Sequence, residues 1–273
     1  ISITKEGKIK LKDLSTIYRD LNNLTDFGKR IALMLNVNDV FVVKGDTKKS
    51  EHTYINLGAE TARIIKKVVS RGDILGVTGG RTLSSIGDEM EKSKEDLDIT
   101  VIPARGSLGR SAKFQANSIA SKIATKLNGE YQLLPVPDTA SVEAIKMLME
   151  NEEVKEAYNM LKSLDILIFG IGRADVMLDR RRISDDIKDE ILDNKAVAEA
   201  FGHYFDIEGN EVYRSQSIGI TIEDFKKIPR IIGVAGGCEK ADSIISISSL
   251  WQDMILVIDE SAANEILNIR RSI

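Results

Sequence analysis

Short apolar runs alternate with amphipathic helical patterns along this 273-residue chain, and this alternation restricts its fold more than any other feature. The predicted strands are Val40 to Lys44, Ile74 to Val77, Ile99 to Ile102, Tyr131 to Leu134, Asp165 to Phe169, Ile231 to Ala235 and Met254 to Ile258; helical patterns include Tyr54 to Val69, Ala112 to Leu127 and Val142 to Leu161. Strands separated by helices are joined by right-handed crossovers, which place the strands in parallel. The sequence therefore predicts an α/β fold with a Rossmann-like, mainly parallel sheet and helices on both faces.

A glycine turn joins strand to helix within the stretch from Arg71 to Met90. The adjacent residues Gly79 and Gly80 let the backbone turn tightly and leave the first N–H groups of the following helix open to an anion. Arg81 and Thr82 would add a cation and a hydroxyl beside that helix end. The spacing matches neither the Walker motif nor the dinucleotide fingerprint. The stretch fits a phosphate site, or only a tight turn between a strand and a helix.

Cationic side chains follow four of the predicted strands. Arg81, Arg105 and Lys240 each follow one strand, and the run Arg180 to Arg182 follows another. Because ligands of parallel sheets bind at the carboxyl ends of the strands, these cations predict an anionic ligand, with room for more than one phosphate. Taken alone, the Arg180 to Arg182 run would fit a solvent-exposed face equally well.

Catalytic and metal-binding patterns are sparse. Glu199 and His203 stand four positions apart, so on a helix they would share a face as an acid–base pair, or form a surface pair, or contact a ligand hydroxyl. Cys238 follows a second glycine pair, where it is either a reactive thiol or a small residue that fits the turn. One cysteine and two histidines provide no metal cluster and no internal disulfide, so we expect no cofactor.

Charge and composition exclude other classes of protein. The chain is 42% hydrophobic and 29% charged with a net charge of −4, so it lacks the basic excess of a domain that itself binds nucleic acid. No apolar run approaches the roughly 20 residues that span a bilayer, and the first residues lack the apolar core of a signal peptide. We therefore expect a cytoplasmic protein that makes no membrane contact.

The N-terminal part carries a long helical pattern. Apolar or small residues recur every three or four positions at Leu14, Ile17, Leu21, Leu24, Gly28, Ile31 and Leu35. This spacing predicts a helix. The helix would be either a dimerising linker to an upstream domain or an amphipathic helix that lies on its own domain.

Five motifs, in this order, resemble the effector-binding domain of the SorC/DeoR-type sugar-responsive transcription regulators. They are Gly76 to Leu83, Pro103 to Gly109, Gln115 to Asn117, Phe169 to Gly172 and Gly233 to Lys240. The resemblance covers the chain from about Val37 onward and implies a fold similar to glucosamine-6-phosphate deaminase and ribose-5-phosphate isomerase. It divides the chain into a connector and linker helix (residues 1–36) and a sugar-phosphate effector-binding domain (residues 37–273). The family's N-terminal DNA-binding domain is expected to be absent from this chain.

The resemblance implies a function without catalysis. We expect the ligand-sensing domain of a bacterial repressor of glycolytic genes, which binds a phosphorylated sugar, with fructose-1,6-bisphosphate the expected effector. Binding would alter the assembly of a homo-oligomer, either a dimer or a tetramer, and its contact with DNA through the missing domain. A sugar-phosphate isomerase or deaminase on the same scaffold is the alternative, because fold alone does not decide function.

The resemblance also assigns the site, residue by residue. It places Gly79, Gly80, Arg81 and Thr82 at a phosphate, Arg105 and Gln115 beside the ligand, Arg180 and Lys240 on phosphate oxygens, and Glu199 on a sugar hydroxyl. The glycolytic branch of the family favours a small hydroxyl residue where Arg81 stands. This departure leaves open the choice between a bisphosphate and a monophosphate effector.

Overall fold

The computed structural model describes residues 4, 7, 23–108 and 111–271, and at its centre lies a parallel sheet of seven strands. Its strands are β1 (Asp39–Val43), β2 (Ile74–Val77), β3 (Thr100–Pro103), β4 (Glu130–Tyr131), β5 (Ile166–Gly170), β10 (Arg230–Ala235) and β11 (Ile255–Asp259). Their order across the sheet is β1-β11-β10-β5-β2-β3-β4, and every neighbouring pair is parallel. The predicted α/β fold is therefore confirmed.

Helices cover both faces of this sheet. They are α1 (Leu24–Leu35), α2 (His52–Val68), α3 (Arg81–Glu89), α4 (Ala116–Leu127), α5 (Val142–Leu148), α6 (Glu152–Leu161), α7 (Ala174–Arg181), α8 (Asp185–Asp193), α9 (Ile222–Phe225), α10 (Ala241–Ser248) and α11 (Glu260–Arg271). Successive strand residues point to opposite faces, so Leu167 and Phe169 of β5 join one buried cluster while Ile166 and Ile168 join the other. Residues of α1, α6, α10 and α11 pack into the first cluster, and residues of α2, α3 and α4 into the second.

Two predicted helices are divided in the structure. The pattern from Val142 to Leu161 forms two helices: α5 ends at Leu148 with Met149 as its C-cap, and Asn151 caps α6 by accepting a hydrogen bond from the Val154 N–H. The pattern from Ala112 begins as a 3₁₀ turn, Ala112–Phe114, and α4 starts only after Gln115. The strand predicted from Tyr131 to Leu134 is shorter and shifted to Glu130–Tyr131.

A second sheet, antiparallel and four-stranded, was not predicted. Its strands, in spatial order, are β6 (Gly172–Arg173), β7 (Ala198–Ala200), β8 (His203–Phe205) and β9 (Glu211–Arg214). The prediction that Glu199 and His203 share a helix face is wrong, because Phe201 and Gly202 both have positive φ and turn the chain into a hairpin. Glu199 is paired with Tyr204, and His203 is paired with Ala200 on the other face.

The N-terminal helix packs on its own domain along its described length. The buried residues of α1 include Leu24, Ile31 and Leu35. At Gly28 an added Cβ would overlap the carbonyl oxygen of Val40, so only glycine allows this close approach to β1. The structure thus supports the interpretation of an amphipathic helix for this part, while the pattern from Leu14 to Leu21 lies outside the described residues. In the described part of the chain, no helix has the length and apolar character to cross a bilayer.

Candidate ligand-binding site

The turn that follows β5 is the centre of the candidate site. An atom at the Cβ position of Gly170 would lie 3.9 Å from the carbonyl oxygen of Gly79, and one at Gly172 would lie 3.1 Å from Glu199 Oε2. Between these glycines, the Ile171 carbonyl accepts a 2.9 Å hydrogen bond from Lys240 Nζ. Three strand ends that the sequence marked separately therefore meet around three successive residues.

The start of α3 forms one side of this site. Gly80 has a φ of 132°, and no atom lies within 4 Å of the position that a Cβ would take there, so the space in front of the turn is open. The Gly80 N–H donates to the Phe114 carbonyl at 2.9 Å. Within the described ranges, by contrast, no protein group accepts from the N–H groups of Arg81 and Thr82. These N–H groups at a positive helix end can receive an anion.

Gln115 lies beside the same turn. An atom at the Cβ position of Gly79 would stand 3.7 Å from the carbonyl carbon of Gln115 and 3.2 Å from the Ala116 nitrogen. Gln115 is also the N-cap residue of α4, directly before its first residue. The structure thus brings Gln115 next to the glycine pair, and its contact with a ligand stays a prediction.

The side chain of Arg81 takes a different direction. Its Nη1 lies 3.2 Å from Glu51 Oε1, and its guanidinium stacks 5.5 Å from the ring centre of Tyr54. Both partners belong to the beginning of α2, and the Arg81 side chain is exposed. Only the backbone N–H of Arg81 stands at the helix start, and an effector contact by its guanidinium stays a prediction.

A buried network of two arginines and two carboxylates lies behind the site. Arg181 donates from Nε to Asp138 Oδ2 at 2.9 Å, from Nη2 to Glu199 Oε1 at 2.9 Å, and from Nη1 to the Tyr204 hydroxyl at 3.0 Å. Burial alone would lower the pKa of Arg181, but the charges of Glu199 and Asp138 outweigh it and hold that pKa above its ordinary value. Sequence reasoning did not single out Arg181, Asp138 or Tyr204.

Arg105 is the second arginine of this network. Its Nε contacts Asp138 Oδ1, and its Nη1 is 3.9 Å from Glu199 Oε1. Within the described residues its buried guanidinium nitrogens make no hydrogen bond of good geometry. Burial, reinforced by the like charge of Arg181, lowers the pKa of Arg105. Arg105 would therefore gain hydrogen bonds from a ligand oxygen.

Glu199 presents one oxygen to the protein and the other to the β5 turn. Its Oε1 accepts from Arg181 and, at 2.7 Å, from the Gly202 N–H. No donor in the described part of the chain reaches Oε2, which lies beside Gly172. This arrangement leaves Oε2 able to accept from a ligand hydroxyl.

Lys240 and Arg180 bring two cations to the side opposite α3. Burial lowers the pKa of Lys240, the neighbouring Glu239 carboxylate opposes this, and the charge of Arg180 adds to the lowering. Arg180 therefore lies close enough to act on Lys240 electrostatically, although its side chain is exposed and its Nη1 is 4.0 Å from the Met177 sulfur. The buried carboxylates of Asp259 and Glu199 also act on Lys240, in the direction opposite to Arg180.

The position of each arginine in the Arg180 to Arg182 run decides its environment. Ala174, Leu178 and Arg181 follow one another on the buried face of α7, whereas Arg180 lies on its exposed face. The spacing of four and then three residues from Ala174 could have identified Arg181 as the inward-facing member. The interpretation of the whole run as a solvent-exposed face is therefore wrong for Arg181.

Cys238 and His203 are the remaining candidates from the sequence. Cys238 is partly buried, and its Sγ lies 3.8 Å from Glu239 Oε2. His203 is buried between Phe201 and Phe205, and its Nδ1 pairs with Glu211, while burial lowers its pKa. In the ranges that the structure describes, no three His, Cys, Asp or Glu residues are grouped to hold a metal ion.

Comparison with known proteins identifies the class. A family model for a sugar-binding domain matches residues 19–268. The chain is 37% identical over 268 residues to the central glycolytic genes regulator of Bacillus subtilis (strain 168). This alignment covers 98% of this chain and 78% of that relative. The crystal structure of a SorC family transcriptional regulator from Enterococcus faecalis superposes with a TM-score of 0.83 at 31% identity, over 89% of this chain and 99% of that one.

The same fold occurs in a complete regulator. The full-length sorbitol operon regulator of Klebsiella pneumoniae superposes with a TM-score of 0.83 at 19% identity, over 91% of this chain and 82% of that one. Fold and site thus define a sugar-binding effector domain of a transcription regulator. The chain belongs to the sugar-binding domain family of the SorC/DeoR regulators. Its homologues are transcription regulators rather than enzymes, so the isomerase or deaminase alternative is not supported.

Proposed function

We propose that this domain binds a phosphorylated sugar, with fructose-1,6-bisphosphate as the expected effector, in a bacterial repressor of glycolytic genes. The similarity to a regulator named for central glycolytic genes supports this assignment. The homologues are transcription regulators, which supports a sensor over a catalyst. Contact with DNA would belong to an N-terminal domain of the complete regulator.

One observation carries the proposal, namely the arrangement around the β5 turn. The open start of α3 lies beside Gly170, Lys240 donates to the Ile171 carbonyl with Arg180 nearby, and Glu199 Oε2 lies beside Gly172. Two anion-binding groups and a hydroxyl acceptor at one turn are the groups that a sugar with two phosphates would need.

The proposal extends to assembly. The effector would contact loops that follow β2, β3, β5 and β10, so its binding would order them together and change the surface that the domain offers to a second copy. We expect sedimentation velocity to show a change in assembly or shape of a dimer or tetramer on saturation with fructose-1,6-bisphosphate. Identical profiles with and without the sugar would contradict this part for the isolated domain.

Calorimetric titration of two variants tests the two-ended site. Arg180→Ala should lower the affinity for fructose-1,6-bisphosphate by about 10- to 150-fold, because a charge-assisted contact to the second phosphate is lost. The same variant should leave fructose-6-phosphate, which makes only the contacts at the glycine turn, almost unchanged. Thr82→Ala removes the hydroxyl at that turn and should lower the affinity for both sugars. The titrations share one salt concentration, since exposed charges are screened.

Two matched variants control this experiment. Arg71→Ala removes the same charge from an exposed arginine before β2, at the amino end of the sheet, and should leave both affinities unchanged. Thr82→Ser keeps the hydroxyl and should retain most of the affinity. If Arg180→Ala affects the two sugars equally, or neither of them, the site does not have two separate phosphate-binding ends.

A further inference from the structure

Asp259 is a fully buried carboxylate at the carboxyl end of β11. Its Oδ2 accepts hydrogen bonds from the backbone N–H groups of Thr47 and Gly237, both at 2.9 Å. Its Oδ1 accepts from the Ser261 hydroxyl at 3.0 Å and the Ala262 N–H at 2.9 Å. One side chain thus ties together the ends of β1, β10 and β11, three neighbouring strands of the sheet.

Only an ionised carboxylate satisfies these four donors. It has two acceptor oxygens, carries no proton and can receive two hydrogen bonds at each oxygen. An amide in the same place would direct its NH₂ group at two of the donors. Charge-assisted hydrogen bonds from backbone N–H groups are also the stronger kind. Asp259 therefore acts toward Gly237 as an internal anion, in the way that a bound phosphate would act toward an open turn.

The Gly237 contact sets the position of Lys240. The Lys240 N–H donates to the Gly237 carbonyl at 3.0 Å, and Lys240 Nζ donates to the Ile171 carbonyl at 2.9 Å. The space around this turn is filled, since an atom at the Cβ position of Gly236 would lie 2.6 Å from Thr47 Cγ2 and 3.0 Å from Asp259 Oδ2. The turn cannot shift toward Asp259, and without Asp259 its N–H group loses its acceptor.

The loop after β1 is part of the same assembly. Its Thr47 N–H is bound by Asp259, and the next residue, Lys48, pairs with Glu239 Oε2 at 3.4 Å. Glu239 directly precedes Lys240 and acts on its charge. Asp259 consequently acts on Lys240 through the Gly237 turn, through the loop of Thr47 and Lys48, and through its own negative charge.

We infer that Asp259 is a positioning residue for the effector site, because it holds the turn from Gly236 to Lys240 so that the lysine meets the effector phosphate. This inference rests on the proposed function. Asp259 itself does not touch the ligand, and it occupies the Gly237 N–H. In this arrangement the turn after β10 contributes its lysine to the proposed site.

The first test compares two buried aspartates at opposite ends of the strands. In Asp259→Asn two hydrogen bonds are lost, and we expect affinity for fructose-1,6-bisphosphate to fall about tenfold or more. Asp73→Asn is the matched control: Asp73 is also buried, but it bonds Ser70 and Arg230 at the amino end of the sheet. Its affinity should stay within twofold of the wild-type value. Wild-type affinity in a folded Asp259→Asn protein would overturn the inference.

A double-mutant cycle separates positioning from general support of the fold. Lys240→Met should lower the affinity, and adding Asp259→Asn should then cause little further loss, because Asp259 acts through Lys240. Two independent, additive losses would show that Asp259 acts on the site by another route, and would also overturn the inference.

A measurement on the wild-type protein keeps the inference testable if Asp259→Asn does not fold. Without effector, the Gly237 amide should be protected from hydrogen exchange by its bond to Asp259, while the Thr82 amide should gain protection only when the sugar binds. Fast exchange at Gly237 would overturn the inference even if the sugar binds normally. Failure of the wild-type protein to bind any phosphorylated sugar would instead refute the proposed function, with Gly237 still protected.

Discussion

The domain contains two glycine-pair turns that are alike in sequence but donate to different kinds of acceptor. Gly79 and Gly80 follow β2, whereas Gly236 and Gly237 follow β10, and in each pair the second glycine has a positive φ, 132° at Gly80 and 102° at Gly237. At the first turn the Gly80 N–H donates to the backbone carbonyl of Phe114 at 2.9 Å. The second turn donates its N–H to the buried Asp259.

The free space beside the second glycine also differs between the two turns. A Cβ at Gly80 would meet no atom within 4 Å, whereas one at Gly237 would lie 2.7 Å from Glu239 Oε2. At the second turn the protein itself supplies an anion to a glycine N–H, whereas at the first turn the corresponding N–H has a neutral carbonyl as its acceptor. The difference is a carboxylate from another strand, which the local motif does not contain.

The largest expected difference between the turns is in stability. Asp259→Ala should lower the free energy of unfolding by roughly 3–5 kcal/mol, because three backbone N–H groups and one hydroxyl lose their buried acceptor. Thr82→Ala at the open turn should cost about 1 kcal/mol or less. Urea unfolding without effector measures both. Similar losses in the two variants would mean that the second turn is not held by Asp259.

The pH dependence of effector binding gives a smaller, graded effect. Burial lowers the pKa of Lys240 below its ordinary value of 10.5, opposed by Glu239 and assisted by Arg180. Sugar phosphates are fully ionised above about pH 8, so a decline in affinity for fructose-1,6-bisphosphate as pH rises further reports loss of the Lys240 proton. Titration from pH 8 to 10 should show this decline in the wild-type protein and a flat profile in Lys240→Met. A decline of equal size in the variant would exclude Lys240 as its source.

The lowered pKa of Lys240 also predicts how its contribution to the free energy of unfolding changes with pH. Because the pKa of Lys240 is lower in the folded protein than in the unfolded chain, the unfolded chain binds more protons between the two values. The contribution of Lys240 to the free energy of unfolding should therefore rise with pH in that window. Urea unfolding of wild-type and Lys240→Met proteins at both ends of the window checks the sign, and a falling contribution would contradict it.

The smallest expected effect concerns the Arg81 side chain at the open turn. Glu51→Gln removes an exposed ion pair, so stability should change by no more than about 0.5 kcal/mol. Affinity for fructose-1,6-bisphosphate should stay within about twofold, because Arg81 keeps its stacking on Tyr54. Calorimetry gives the affinity. A clear gain in affinity would show that the released guanidinium binds the phosphate, and would assign Arg81 to the site.

The strands of the parallel sheet could be predicted from the sequence because each strand is marked by its own residues. A buried parallel strand reads as a continuous apolar run, and Ile74–Val77 has the bounds that the sequence predicted. The antiparallel sheet escaped prediction since its strands have only two to four residues. Its central hairpin depends on a positive φ of 39° at Phe201, a residue that seldom adopts one.

The sequence located the cations of the candidate site but not their partners. Cations at successive strand ends indicated where an anion would bind, and the structure brings Arg105, Arg180 and Lys240 to one region. Their partners come from distant segments: Arg105 contacts Asp138, and Arg81 contacts Glu51. Which cation is enclosed by carboxylates and which is open to a ligand depends on these long-range contacts, so motif spacing alone does not determine it.

The place of β11 in the sheet has a consequence for synthesis on the ribosome. This last strand lies between β1, the first, and β10, and the Asp259 contact to Thr47 spans 212 positions of the chain. While the chain is still being made, β1 has emerged but lacks β11, its neighbour among the described strands, so this edge of the sheet stays unpaired until β11 leaves the ribosome. Contacts of such long sequence separation form slowly and leave strand edges exposed to aggregation. A nascent chain stalled before Ile255 would therefore be a natural client for chaperones.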